Sequence, residues 1–290
     1  LVLQDDALRW ARKLGKPVVA TFHMYTQNIL NEIPMASWGW SNRLLMKVWR
    51  HNQYNRCSHV QCPTSVVRNL LQKFDFKSKL CVISNGIEIS RDPVVACAPQ
   101  TKPYIIYNTG RYANVKNQIT LINAMRYSRH SKEIQLVFAG SGVNLLKMEK
   151  ATDKLLAGGV LAYKPVFEFK NREQLAQLAR QAYLYVHCAK LEVEGLGCLE
   201  AIMEGCVPVI GSGELIGTTD FAMDDRSIYR CGDARELALK IDWWIEHPQE
   251  RIEAGQKYAD FSRKFDIRYS IDSLIEMYRE AYSTISLTKF

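Results

Sequence analysis

Along this chain, apolar and β-branched runs alternate with stretches in which apolar residues recur every three or four positions, which predicts a parallel sheet covered by helices. Strands are predicted at Pro17 to Phe22, His59 to Cys62, Lys79 to Ile83, Tyr104 to Asn108, Ile134 to Ala139, Leu184 to Cys188 and Val207 to Ile210, with helices in the intervals. Residues 89–102 contain Pro93 and Pro99 and show no periodicity, so they read as a linker between two α/β halves. The expected organisation is a partial N-terminal domain over 1–88, the linker, a nucleotide-binding domain over 103–272, and a helix over 273–290 returning to the first domain. The N-terminal half is shorter than an ordinary domain and opens on what looks like the middle of a helix-bearing unit, so it is expected to be incomplete.

The pattern of Tyr183–Ser212, YLYVHCAKLEVEGLGCLEAIMEGCVPVIGS, carries the chemistry. It predicts a strand, a glycine-bearing polar loop, a helix from about Gly197 that Gly205 terminates, and a second strand. Glu200 is expected in the first turn of that helix and Glu192 in the loop before it. The unpaired N–H groups of Gly195, Leu196 and Gly197, together with the positive helix end, suit a diphosphate at the carboxyl ends of parallel strands, while the carboxylates suit ribose and sugar hydroxyls. The same spacing equally describes a favourable charge near a helix start and a solvated loop glutamate. Spacing alone does not choose between them.

Composition narrows the field around this motif. With 290 residues, 47% of them hydrophobic, the chain can bury a sizeable core. It has no apolar run of membrane-spanning length and no secretory pattern at Leu1 onward, which predicts a cytoplasmic protein. The eight cysteines are scattered and form no CxxC pair, favouring buried reduced thiols over a disulfide framework or a metal site, so no metal is expected. The net charge of +8 is concentrated between Ser41 and Leu80, where eight basic residues face Asp75 alone. Such an excess implies an anionic partner, whether lipid surface, nucleic acid or anionic polymer.

The two glutamates separated by seven residues, flanking a glycine loop and followed by LEAIMEGCVPVI, resemble the donor-site signature of family 4 retaining glycosyltransferases with the GT-B fold. Glu192, Gly195, Glu200, Gly205 and Pro208 occupy its positions, whereas Val193 and Glu194 depart from it in a way that could alter the sugar pocket. Asn108-Thr109-Gly110-Arg111 with Lys116 is similar to the family's phosphate-binding element, in which the two cations offset charge on the departing diphosphate. Gly140 and Gly142 form a small-residue turn that would let backbone approach a nucleotide, and Ser84-Asn85-Gly86-Ile87 resembles the junction at the end of the first domain. His23, after the PVVATFH strand, and the weaker candidate His187 are placed by the resemblance near the donor or the acceptor.

The resemblance therefore implies two Rossmann-like parallel-sheet domains facing a cleft. It also implies transfer of a hexose from a nucleoside diphosphate sugar, UDP-glucose or UDP-galactose, with retention and without cofactor or metal. The route to retention, a double displacement or same-face attack in an ion pair, stays open. TFHMYTQNIL, HVQCPTS, TTDFAMDDRSIY and KIDWWIEHPQERI are similar to the bacterial branch that includes 1,2-diacylglycerol 3-glucosyltransferase-like enzymes, which implies a lipid acceptor at the inner membrane face. Within Trp38 to Cys57, Arg43, Lys47, Trp49 and Arg50 are the expected membrane contacts of an interfacial helix. An ordinary amphipathic helix packed on its own sheet fits the same pattern. A soluble or polymeric glycan acceptor and a noncatalytic sugar-nucleotide-binding fragment are the other readings. No nucleic-acid module is recognisable, and nucleic acid is not an expected partner.

Overall fold

The computed structural model describes residues 2–27, 39–89 and 101–287, so Trp38 and most of the linker, with Pro93, Cys97 and Pro99, lie outside the described residues. The chain divides by packing into one unit made of residues 1–86 and 267–290 and another made of residues 87–266.

The first unit holds α1 (Val2–Lys13), β1 (Val19–Thr21), α2 (Gly39–Asn52), β2 (His59–Cys62), α3 (Ser65–Lys73), β3 (Lys79–Val82) and, from the far end of the chain, α10 (Ile267–Leu287). Its sheet is parallel in the order β1-β2-β3. Thr64 starts α3 by accepting a hydrogen bond from the N–H of Val67, the usual service of an N-cap hydroxyl. The core gathers Phe22, Val60, Cys62, Val67 and Leu71, with the Phe22 ring 6.2 Å from Trp49 and 5.6 Å from Tyr54.

That packing corrects the expected membrane-contact set. A turn of 3.6 residues puts Trp49 on the same row as Met46, and both are buried, Trp49 at 7% exposure. The Arg50 guanidinium donates to the carbonyl of Phe74 at 3.1 Å and lies 3.7 Å from Asp75, so it serves the fold as well. The solvent face of α2 is instead Trp40 at 62% exposure, Leu44 at 55% and Val48 at 41%, together with the exposed Arg43 and Lys47.

The second unit holds β4 (Tyr104–Thr109), α4 (Ile119–Ala124), β5 (Ile134–Ala139), α5 (Leu145–Ala157), β6 (Val166–Glu168), α6 (Arg172–Gln181), β7 (Leu184–His187), α7 (Leu196–Met203), β8 (Val207–Ser212), β9 (Ile228–Arg230), α8 (Ala234–Glu246) and α9 (Pro248–Ser262). All six strands are parallel, in the order β6-β5-β4-β7-β8-β9. This is the doubly wound order, and its reversal falls between β4 and β7, where such sheets open a crevice at their carboxyl ends. β7 and most of β8 are buried, which is why both appear in the sequence as unbroken apolar runs. The strands β6 and β9 were not expected. Each is three residues long on a sheet edge and only partly buried, so neither needs the apolar run that marks the others.

Candidate functional site

The crevice is built by the turns that leave β4 and β7. After β4 the chain passes through Gly110 at φ +131°, then the exposed Arg111, and returns to Lys116. After β7 it runs past Lys190, whose N–H donates to the carbonyl of Val115 at 2.8 Å and so ties the two turns together. The Lys116 ammonium then pairs with the Glu192 carboxylate, both side chains being largely buried. Glu192 is also held through its backbone: its N–H donates to Leu215 at 2.9 Å and its carbonyl accepts from Gly217 at 2.6 Å.

Helix α7 starts at a left-handed Gly195, and no side chain fits there, because a Cβ would lie 2.3 Å from Thr218 Oγ1. Two residues on, a Cβ on Gly197 would lie 2.8 Å from the Thr109 methyl, so the first turn of α7 is pressed against the end of β4. Leu196 and Gly197 carry N–H groups of the kind a helix start leaves without intrahelical partners, after β7, while Arg111 and Lys116 follow the adjacent strand β4. These are the parts of an anion site with both backbone and cationic donors.

Glu200 lies in the second turn of α7 rather than the first, since counting runs from Leu196 and not from Gly197. It is therefore displaced from the helix end and lines a cavity of about 740 Å³ with Thr109, Gly197, Tyr107, Asn171 and Arg172. Burial raises its pKa, and the charge of Arg172 pulls it partly back. The Arg172 guanidinium itself donates to the Glu88 carboxylate at 2.9 Å. Asn171 and Arg172 were missed in sequence, although Asn171 opens α6 with a capping box to Gln174, a helix-start signal that says nothing of a cavity. Thr109 stood inside the NTGR element without being singled out.

Three expected site residues have other roles. His187 is not open to a ligand: it is buried, with Nδ1 3.3 Å from the Tyr185 hydroxyl and Nε2 3.2 Å from Thr218 Oγ1, and burial lowers its pKa to about 4. Gly140 and Gly142 are small because backbone packs on them. A Cβ at Gly140 would lie 2.1 Å from the Gly110 carbonyl, and one at Gly142, whose φ is +152°, 2.6 Å from that of Tyr112. They pack against the Gly110 and Tyr112 carbonyls, which leaves no room for side chains there. His23 is exposed just beyond β1 in the first unit. Among the described residues, no group of three His, Cys, Asp or Glu side chains could hold a metal ion, and no helix is long and apolar enough to cross a membrane.

An anion site beside half-buried carboxylates, at the switch point of a doubly wound sheet, is where α/β proteins bind nucleotides. Two family models follow one another along this chain, Glycosyltransferase Family 4 over residues 5–91 and Glycosyl transferases group 1 over residues 96–262. The chain belongs to the glycosyl transferases group 1, and its two α/β units with parallel sheets are of the GT-B class. The catalytic domain of the cholesterol-alpha-glucosyltransferase of Helicobacter pylori is similar at 39% identity over 56% of this chain and 99% of that one, with a TM-score of 0.51. TarM of S. aureus (17% identity, 91% of this chain and 51% of that one, TM-score 0.70) shares the fold. So does Alr3699/HepE of Anabaena, solved with UDP (15%, 96% and 76%, TM-score 0.74). The chain thus spans about half the length of TarM. No curated protein matches.

Proposed function

We propose that this glycosyltransferase moves a hexose from a UDP-sugar to a lipid acceptor with retention at the anomeric carbon. The observation that carries the donor half is the Lys116–Glu192 pair, whose loop leads within three residues into the left-handed Gly195 that starts α7. In the free site the two charges neutralise each other. A diphosphate entering between Arg111, Lys116 and the N–H groups of Leu196 and Gly197 competes for the ammonium and releases the carboxylate for sugar hydroxyls. Positioned charge of this sort, at a leaving group in a partly buried site, is the main contribution such a protein makes to the reaction. The neighbouring cavity takes the nucleoside, with Glu200 accepting from ribose and Arg172 at the base end.

UDP is favoured because it occupies a protein of the same fold, and a lipid acceptor because the 39% identical relative is named for glucosylating cholesterol. The exposed Trp40, Leu44 and Val48 row of α2, flanked by Arg43 and Lys47, suits an anionic lipid surface. The test is nucleotide release from a panel of UDP- and GDP-sugars, with and without vesicles carrying diacylglycerol or sterol. Release of UDP that rises with acceptor vesicles is expected. Release from no sugar nucleotide overturns the donor half, and release indifferent to lipid but raised by a soluble glycan overturns the acceptor half.

A further inference from the structure

The loop that presents Glu192 does not stand alone. Ile216 forms a parallel bridge with Glu192, Gly217 donates to the Glu192 carbonyl, and the next residue, Thr218, is fully buried beneath the loop. Its hydroxyl fills the space under the left-handed Gly195 and lies 3.2 Å from His187 Nε2, which is itself 3.7 Å from the Glu192 carboxylate. One short turn therefore touches the backbone of Glu192, the start of α7 and the ring beside the Glu192 side chain.

We propose that Thr218 is a positioning residue for glycosyl transfer, holding the His187 Nε2–H on its own hydroxyl so that the ring leaves the Glu192 carboxylate to Lys116 and to the donor sugar. This rests on the donor-site reading above.

The protons can be placed from the partners. The Tyr185 phenol is buried and keeps its proton, burial raising its pKa well above the ordinary value, and Nδ1 of His187, 3.3 Å away, is the acceptor assigned to it. With Nδ1 accepting, the single proton of the neutral ring sits on Nε2. There its acceptor is Thr218 Oγ1 at 3.2 Å, with the Glu192 carboxylate 3.7 Å away and beyond hydrogen-bond reach. The ring supplies direction without charge, so Lys116 remains the cation that answers both the carboxylate and an arriving diphosphate. Without the Thr218 hydroxyl the Nε2–H has Glu192 as its acceptor, and the carboxylate is drawn down toward the ring and away from the sugar. The turn is also the reason Gly195 of this chain has no room for a side chain.

Thr218→Val keeps the shape and removes the hydroxyl, whereas Thr218→Ser keeps the hydroxyl. With UDP-glucose as probe and UDP release as readout, Thr218→Val is expected to lower kcat by about 10-fold or more with KM within about 3-fold, and Thr218→Ser to stay within about 3-fold of wild type. In a Glu192→Gln background the Val substitution is expected to add less than about 2-fold, because both changes act on one carboxylate. A normal kcat in Thr218→Val, equal losses in Val and Ser, or losses that multiply with Glu192→Gln would each overturn the inference. If Thr218→Val does not fold, Tyr185→Phe decides instead. It removes the proton that fixes the tautomer and should lower kcat in the same selective way, and a normal kcat there sinks the idea. Wild-type turnover in Glu192→Gln, or no release by the wild type, overturns the donor-site reading and this inference with it.

Discussion

Glu192 and Glu200 stand eight positions apart and meet opposite surroundings. Glu192 faces an ammonium at a partly open mouth, while Glu200 is desolvated in the adjoining cavity with a raised pKa. Glu192→Gln is expected to cut kcat by about 10²-fold with little change in nucleotide affinity, because it removes a contact to the reacting sugar. Glu200→Gln should weaken UDP binding instead. Titration calorimetry and UDP-release kinetics on the two variants check the split, and reversed effects would exchange their roles. His187 gives a pH signature. Its folded pKa of about 4 lies below the unfolded value of 6.5, so the unfolded chain takes up a proton that the native ring refuses. Stability is full above pH 6.5 and is lost as pH falls toward 4, by about 3 kcal/mol in all. Thermal melts across that window should show the loss, reduced in His187→Gln. The glutamates, Arg111 and Lys116 were singled out in sequence by the family resemblance of their local motifs, since spacing alone left a solvated loop and an ordinary helix start equally open. Thr218 was not, since its partners His187 and Gly195 lie 31 and 23 positions away and only the folded β7 turn brings them together.

At the scale of elements, α7 is defined by what excludes side chains around it. Gly195 and Gly197 fit it to Thr218 and Thr109, and on its far side a Cβ on Gly255 of α9 would lie 2.5 Å from the Gly205 carbonyl just beyond its end. Gly195→Ala combines a left-handed alanine with a 2.3 Å clash, and should cost about 2 to 4 kcal/mol in denaturant unfolding. The buried character of α7 was visible as an apolar helix between two apolar strands, but its start was placed one residue late, which put Glu200 in the wrong turn. For α2, the pattern showed that aromatic and basic residues share a helix without showing which side its own sheet covers. Trp49 fills the core and Trp40 does not, so Trp49→Ala is expected to destabilise by about 3 to 5 kcal/mol. Leu44→Glu with Lys47→Glu should leave stability nearly unchanged and abolish sedimentation with anionic vesicles. Unchanged sedimentation would remove the case for a lipid surface at α2.

For the molecule as a whole, alternation of apolar runs and helical periods was enough to give two α/β units, because buried parallel strands must be apolar on both faces. The expected bounds of the first unit were residue 88 and a returning helix from residue 273, and the packing divides the chain at Gly86 and Ile267. The second unit begins at Ile87 and ends at Asp266, and these two residues form a parallel bridge with each other, closing the unit at its own entrance and exit. The first unit is consequently written in two pieces separated by residues 87–266. Met277 and Ala281 of α10 belong to its buried residues, and Ile267 and Ser270 pack on Gly86. A ribosome making about 5 to 20 residues per second needs roughly 10 to 40 s to cross that interval. Throughout it, the β1-β2-β3 sheet has emerged without the helix that covers it, while the nucleotide-binding unit completes itself from contiguous chain. The second unit is therefore finished first, and the earlier-made strands wait longest with apolar surface uncovered.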